Sequence, residues 1–252
     1  MCGRYIIREQ EAAERYWRVN GMPAWITSFN VAPTTLVPVV RRARRSAIEA
    51  GEAAREAVLF RWGLVPYWAQ GVPPKYSTFN ARLERLDSAP AFRGPWERGQ
   101  RCILPANGFY EWQKRGSARQ PFFIRLADRE RFGFAGLWDR STASDGTVLG
   151  SCTLITLPGN RLLSEIHNTD HRMPAILREE DHEAWLSGDP DAARATLQPY
   201  PDEQMVAYPV SARVSSAKND DARLIEPVPD PPVPDPPGPD PDPQEPQSGS
   251  LF

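Results

Sequence analysis

The stretch "QRCILPANGFYEW", residues 100–112, is built mainly from apolar, β-branched and aromatic side chains, with one acid, Glu111, near its end. That composition suits a pleated, half-buried surface, so the stretch reads as one long strand. Side chains alternate along a strand, which turns Glu111 and Phe109 one way and Tyr110 and Trp112 the other. Runs of the same character lie on both sides, bounded by turn residues: "TTLVPVVR" (34–41), "EAVLFRWG" (56–63), "PFFIRL" (121–126), "RFGFAGLW" (131–138), "VLGSCTLITL" (148–157) and "MVAYPVS" (205–211). Helical patterns are fewer: "EQEAAERYW" (9–17), "NRLLSEI" (160–166), "EEDHEAWL" (179–186) and "DAARATL" (191–197). Acids at the start of the third suit the positive end of a helix dipole. The charged segment 41–56 reads as an exposed hairpin extension, with a basic nucleic-acid contact as the second reading. Strands that outnumber helices, with no internal repeat, point to one compact α+β domain built on antiparallel or mixed sheet.

Composition narrows the function. With 40% hydrophobic residues the chain can bury a core. Three cysteines (Cys2, Cys102, Cys152) without CxxC spacing argue against a disulfide framework or structural zinc, and for a reducing, cytoplasmic setting. Three histidines (His167, His171, His182) form no ligand motif, so no metal is expected. No apolar run approaches a membrane span, so no membrane is expected either. The net charge of −2 conceals an asymmetry. Residues 228–252 hold 10 prolines and five acids with no Lys or Arg, so removing those five negative charges leaves residues 1–227 at +3. The body is mildly basic and permits a phosphate partner. The tail reads as a disordered, polyproline-like linker, with a docking peptide as the alternative.

Several polar residues sit where a purely structural sheet would not want them. Cys2 becomes N-terminal if Met1 is trimmed, as the small second side chain favours. A free α-amine beside its own thiol then forms an imine with an aldehyde and closes through sulfur to a five-membered thiazolidine. The alternative is an ordinary thiol in a frayed terminus. "FNARLER" puts Asn80 and Arg82 on one face of an extended segment, an amide beside a guanidinium suited to phosphate or sugar. Glu111 is either a solvated strand acid or a partly buried carboxyl whose pKa rises toward neutrality. His167 ends a predicted helix, as a proton carrier or as a C-terminal cap, and His171 competes with it. Trp62 reads as core. Tyr67 and Trp68, after Pro66, are candidates for base stacking, and Pro33 lies in a turn.

Taken in order, "MCGRY", "NVAPT", "RWGLVPYW", "FNAR", "RCILPANGFYEW", "PFFI", "ITLPGN", "IHNTDHRMPAIL" and "VSARVSSAKND" resemble the SOS-response-associated peptidase (SRAP) family over residues 2–227. The resemblance implies a single domain of mainly antiparallel sheet with a barrel-like core and flanking helices. It also implies a monomer that shields abasic sites in single-stranded or junction DNA by covalent attachment, without cofactor. By the same resemblance Cys2 is the nucleophile, Asn80 holds the N-terminus or the sugar, and Glu111 accepts the amine proton. His167 is the general acid/base at the sugar oxygen. Arg4, Arg82, Thr156 and Arg172 contact phosphates, while Pro33 and Trp68 wedge or stack against DNA. One departure concerns the histidine, which in many relatives is separated by one residue from Arg–Met–Pro. Here three additional residues intervene, which brings His171 next to Arg172. The competing readings are an N-terminal-nucleophile peptidase, whose action includes release of Met1, and a non-covalent single-strand binder.

Overall fold

The computed structural model describes residues 2–8, 13–25, 27–49, 51 and 54–229. The strands in chain order are β1 (Arg4–Ile7), β2 (Ser28–Val31), β3 (Leu36–Arg42), β4 (Arg55–Trp62), β5 (Asn80–Arg82), β6 (Arg101–Ala106), β7 (Gly108–Arg115), β8 (Ala118–Leu126), β9 (Phe132–Thr142), β10 (Val148–Pro158), β11 (Arg172–Pro174), β12 (Ile176–Leu177) and β13 (Met205–Pro209). The helices are α1 (Ala13–Trp17), α2 (Arg45–Glu49), α3 (Pro90–Glu97), α4 (Arg161–Ile166), α5 (His182–Ser187) and α6 (Pro190–Ala195).

Two sheets share the strands. One runs β13-β8-β7-β1-β2; the other runs β11-β10-β4-β3-β6-β9-β12, and β10 also pairs β9. That extra pairing closes β10, β4, β3, β6 and β9 into a five-stranded barrel. Closure brings backbones very near one another. A Cβ on Gly136 of β9 would stand 2.4 Å from Leu104 Cδ1 and 2.5 Å from the Thr153 carbonyl, so only glycine fits there. Most ladders are antiparallel, while β10 runs parallel to both β4 and β5.

The five-stranded sheet lies against the barrel and is buried on both faces. Tyr5, Ile7, Phe109 and Ile124 point into the main core, where the Tyr5 ring stands 5.2 Å from Trp62 and 5.9 Å from Phe134. Their neighbours Ile6, Tyr110 and Phe123 face outward onto Val210, Val214 and Leu224 of the C-terminal segment, forming a second cluster. The alternation expected at Phe109–Trp112 is therefore the rule that divides the two cores.

The stretch 100–112 is not one strand. It breaks at Asn107: β6 belongs to the barrel and β7 to the sheet. Asn107 satisfies this corner by itself. Its Oδ1 accepts from the Arg8 amide at 2.7 Å, its Nδ2 donates to the Glu130 carbonyl at 2.8 Å, and its backbone N–H reaches the Ile6 carbonyl at 2.9 Å. The next residue, Gly108, packs so tightly on Phe123 that a Cβ would lie 2.3 Å from the ring. Segment 41–56 is a hairpin extension, since β3 and β4 pair from Leu36↔Arg61 to Arg42↔Arg55 and α2 sits in the connection. The helix expected over 9–17 is present from Ala13, and residues 9–12 lie outside the described residues. The third expected helix starts as a 3-10 turn, Glu179–Asp181, that leads into α5. Strands β1, β2, β5, β11 and β12 are two to four residues long. Their pairing comes from neighbours rather than their own pattern. Helix α3 escapes sequence reading because "PAFRGPWE" carries Pro at its first position and again at Pro95. The tail expected to be disordered falls, from residue 230 on, outside the described residues.

Candidate functional site

Cys2 precedes β1 and is not frayed: it is 1% exposed and packs in the main core. Two strands converge on it. Asn80 opens β5, which β10 holds through the pairing Leu154↔Asn80, and its Nδ2 donates to the Cys2 carbonyl at 2.8 Å. Asn80 is itself buried, and among the described residues its Oδ1 has no hydrogen-bond partner. Glu111 arrives on β7. The pairing Arg4↔Tyr110 carries the antiparallel register one step further toward Cys2 at Glu111.

The electrostatics follow from burial. Burial raises the Cys2 thiol well above its usual range, and the Glu111 charge adds to the rise. The thiol is therefore held protonated. Glu111, 2% exposed, is lifted to about 7 by burial; the negative charge of Asp170 adds to this and the Trp112 backbone amide opposes it. A carboxyl near 7 populates both protonation states at neutral pH, as a proton carrier requires.

His167 caps the C-terminal end of α4, where its backbone N–H donates to Leu163 at 2.7 Å. It is buried, and its Nδ1 accepts from the Arg172 amide at 3.2 Å. That bond assigns the proton of the neutral ring to Nε2. Burial pushes His167 down to about 4, so across neutral pH it acts as a neutral N–H donor, not as the imidazolium that its ordinary pKa would suggest. His171 is different. It is exposed, takes a left-handed backbone (φ 51°), and places Nδ1 3.0 Å from the Ser164 carbonyl.

Around this centre the expected contact residues divide. Arg82 is half-exposed and 4.0 Å from Asp170. Arg4 donates to the Gly3 and Ser215 carbonyls at 3.2 and 3.3 Å and lines a cavity of about 340 Å³ with Gly3, Trp112, Arg119 and Ser215. Pro33 is half-buried in the β2–β3 turn, which the Thr34 N–H ties to the Trp62 carbonyl at 2.7 Å. Trp68 is 48% exposed on a single 3-10 turn (Tyr67–Ala69) that Asp139 anchors through the Tyr67 amide.

Two expectations are corrected. Arg172 is buried, with its guanidinium bonded to both oxygens of Glu84 at 2.6 and 3.0 Å and to the Thr156 carbonyl at 2.6 Å. Thr156 is fully buried on β10, and its Oγ1 accepts from the same guanidinium at 3.3 Å. Neither presents a polar group to a surface phosphate. Together they form a strut behind His167.

A family model described as SOS response associated peptidase (SRAP) matches residues 1–217. The chain belongs to the SRAP family. Abasic site processing protein YoqW of Bacillus subtilis is 37% identical over 234 residues, covering 90% of this chain and 99% of that protein. Abasic site processing protein HMCES of Gallus gallus is 32% identical over 236 residues, covering 82% of this chain and 69% of its own length. A solved Bordetella bronchiseptica structure superposes with a TM-score of 0.72 at 30% identity, over 83% of this chain and all of that one. A Bacteroides thetaiotaomicron structure gives 0.68 at 26%, over 88% and 92%. The α+β fold with its barrel is thus the SRAP fold.

Residues outside the sequence expectations lie beside this candidate site. Trp112 was legible as facing away from Glu111, and there its Nε1 donates to Ser215 Oγ at 3.1 Å beside Arg4. Arg119 carries no sequence signal, being one charge in a tight hairpin. Asn168 clamps the loop after α4 onto β7, its side chain exchanging two 2.9 Å bonds with the Lys114 backbone. Among the described residues no group of His, Cys, Asp and Glu is arranged to hold a metal. Nor is any helix there long and apolar enough to cross a membrane.

Proposed function

We propose that this SRAP chain attaches covalently to abasic sites in single-stranded DNA through Cys2 and so shields them. The observation that carries the reading is the Cys2 carbonyl held at 2.8 Å by buried Asn80, with a carboxyl lifted to about 7 acting on the same residue. Removal of Met1 places the α-amine on Cys2, next to its own thiol.

The order of events follows from the protonation states. An α-amine titrates near about 7.7–8.0, so a substantial fraction is neutral at physiological pH once a base takes its proton. Glu111 is that base. The amine nitrogen attacks C1′ of the ring-opened sugar to give a carbinolamine, which loses water to form the imine. The thiol, kept protonated by burial, attacks last: sulfur bonds to C1′ and its proton passes to the nitrogen. The closed ring contains N, Cα, Cβ, Sγ and C1′, and no metal or organic cofactor enters. His167 hydrogen-bonds through Nε2–H to the sugar ring oxygen as its bond to C1′ breaks; that oxygen gains a proton while the C1′ hydroxyl gives one up to become the carbonyl, and the same N–H steadies the oxygen in reversal. Asn80 fixes the Cys2 backbone so that both nucleophiles meet one carbon, an advantage of effective molarity. Arg4 and Arg82 take flanking phosphates, the Trp112–Arg119 cavity receives a neighbouring nucleotide, and Pro33 and Trp68 pack against unpaired bases. A thiol raised by burial is a poor match for a peptidase, which attacks as thiolate.

The test is to incubate full-length protein with an abasic-site oligonucleotide and read denaturing gels and intact mass. A stable adduct that has lost Met1 and one water per crosslink, and that is absent in Cys2→Ser, is expected. Quantitative retention of Met1 in crosslinking protein, or an undiminished adduct with Cys2→Ser, removes the mechanism.

A further inference from the structure

The loop that follows α4 is built more rigidly than a connection needs to be. Asn168 is zipped to the Lys114 backbone of β7 by two bonds of 2.9 Å. The His171 N–H returns to the His167 carbonyl at 2.9 Å, and the Gly159 N–H takes the His171 carbonyl at 2.8 Å. His171 closes the turn in the left-handed region, with its ring on Ser164. Four residues are thus pinned on both sides, and the carboxylate they present is Asp170. Asp170 stands 4.0 Å from the Arg82 guanidinium, with both side chains about half-exposed. Glu84, the other acid near Arg82, is taken by Arg172 through two bonds of 2.6 and 3.0 Å. Among the described residues Asp170 is therefore the ion-pair partner recorded for Arg82.

An exposed pair at this distance is weak and easily exchanged. A DNA phosphate offers Arg82 the same charge with better bidentate geometry. The negative charge of Asp170 also reaches Glu111 and His167, which locates it at the reacting centre and not on a remote surface.

We propose that Asp170 is an intramolecular stand-in for a DNA phosphate: it occupies Arg82 in the free protein, and a strand must displace it to seat an abasic site. Asp170 thereby sets specificity. A phosphodiester beside the lesion releases Arg82, whereas a small aldehyde without phosphate does not. The inference rests on the abasic-DNA reading above.

The experiment measures equilibrium binding of the full chain to a single-stranded oligonucleotide carrying a tetrahydrofuran abasic analogue, which cannot crosslink. Wild type, Asp170→Asn, Arg82→Ala and the double variant are compared. Asp170→Asn is expected to bind about two- to fivefold tighter, the range set by an exposed ion pair. The gain should vanish in the Arg82→Ala background and shrink between about 50 and 200 mM salt. An equal gain with and without Arg82 would make Asp170 a mere repulsive charge and overturn the proposal, as would unchanged or weaker binding. A wild-type chain that fails to bind the oligonucleotide takes down the DNA reading together with this inference. Binding without a gain takes down this inference alone.

Discussion

Glu111 on β7 and Asp139 on β9 are equally buried, each 2% exposed, yet their surroundings are opposite. Asp139 belongs to the barrel and is saturated with donors. Arg98 reaches both its oxygens at 3.2 Å, and the Tyr67 and Arg140 amides each donate at 2.9 Å. It is an anchor for the loop that carries Trp68. Glu111 lies in the seam between sheet and barrel, where burial dominates and lifts it to about 7. Burial alone does not mark a site. What marks it is a buried carboxyl that burial lifts to about 7.

The comparison breaks most directly on rates. Glu111→Gln should slow crosslinking by about 10²–10⁴-fold, the usual worth of a positioned proton acceptor, while binding to undamaged single strands changes little. Asp139→Asn should leave the crosslinking rate within a few-fold. Equal losses in both variants would erase the distinction. His167→Ala should slow both adduct formation and release by at least about 10²-fold, and His171→Ala should cost little. Because His167 is already neutral above its value of about 4, its removal should lower the rate without moving the pH midpoint. That midpoint follows Glu111, near 7. A midpoint that moves with His167→Ala would reassign the titrating group.

Stability sharpens the same contrast. The Glu111 pKa is raised on folding, so between the ordinary carboxyl value of 4.5 and about 7 the native state binds more protons than the unfolded chain. Stability therefore falls as pH rises through that window, by up to about 3 kcal/mol. Glu111→Gln should raise the melting temperature at about pH 8 and leave it nearly unchanged at about pH 4. A drop at both pH values would make Glu111 a structural residue. Asp139→Asn should instead cost about 2 kcal/mol at about pH 8, because it removes the charge that Arg98 and two amides share. Thermal melts at the two pH values check both.

The smallest effect separates the two arginines that sequence reading treated alike. Arg82→Ala should reduce the slope of log binding constant against log salt by about one, with little change in stability. Arg172→Ala should leave the slope alone and lower the melting temperature, since it strands Glu84 and the support behind His167.

Local pattern made several of these parts legible. The period of two along "GFYEW" determined that Glu111 and Phe109 share a face, and the same period placed Asn80 and Arg82 on one side of β5. Composition separated a mildly basic body from an acidic, proline-rich tail. The pattern failed where one residue changes partners. Nothing within 100–112 says that Asn107 ends the barrel and starts the sheet, because both flanks are equally apolar. "HRMPAIL" likewise looks the same whether its arginine faces solvent or Glu84.

By itself the sequence determined the sheet-rich class, the faces of individual side chains and the chemical potential of a cysteine that becomes N-terminal. These depend on backbone periodicity and covalent chemistry, which act over a few residues. Only the tertiary structure decided which groups meet and in what protonation state. Asn80 and Cys2 are 78 positions apart, and the pairing of β5 with β10 is what seats Asn80 against the Cys2 carbonyl. The barrel and the covering sheet exclude water at that junction. That exclusion holds the thiol protonated, keeps His167 neutral and lifts Glu111 to about 7, because a charge deprived of solvent is costly.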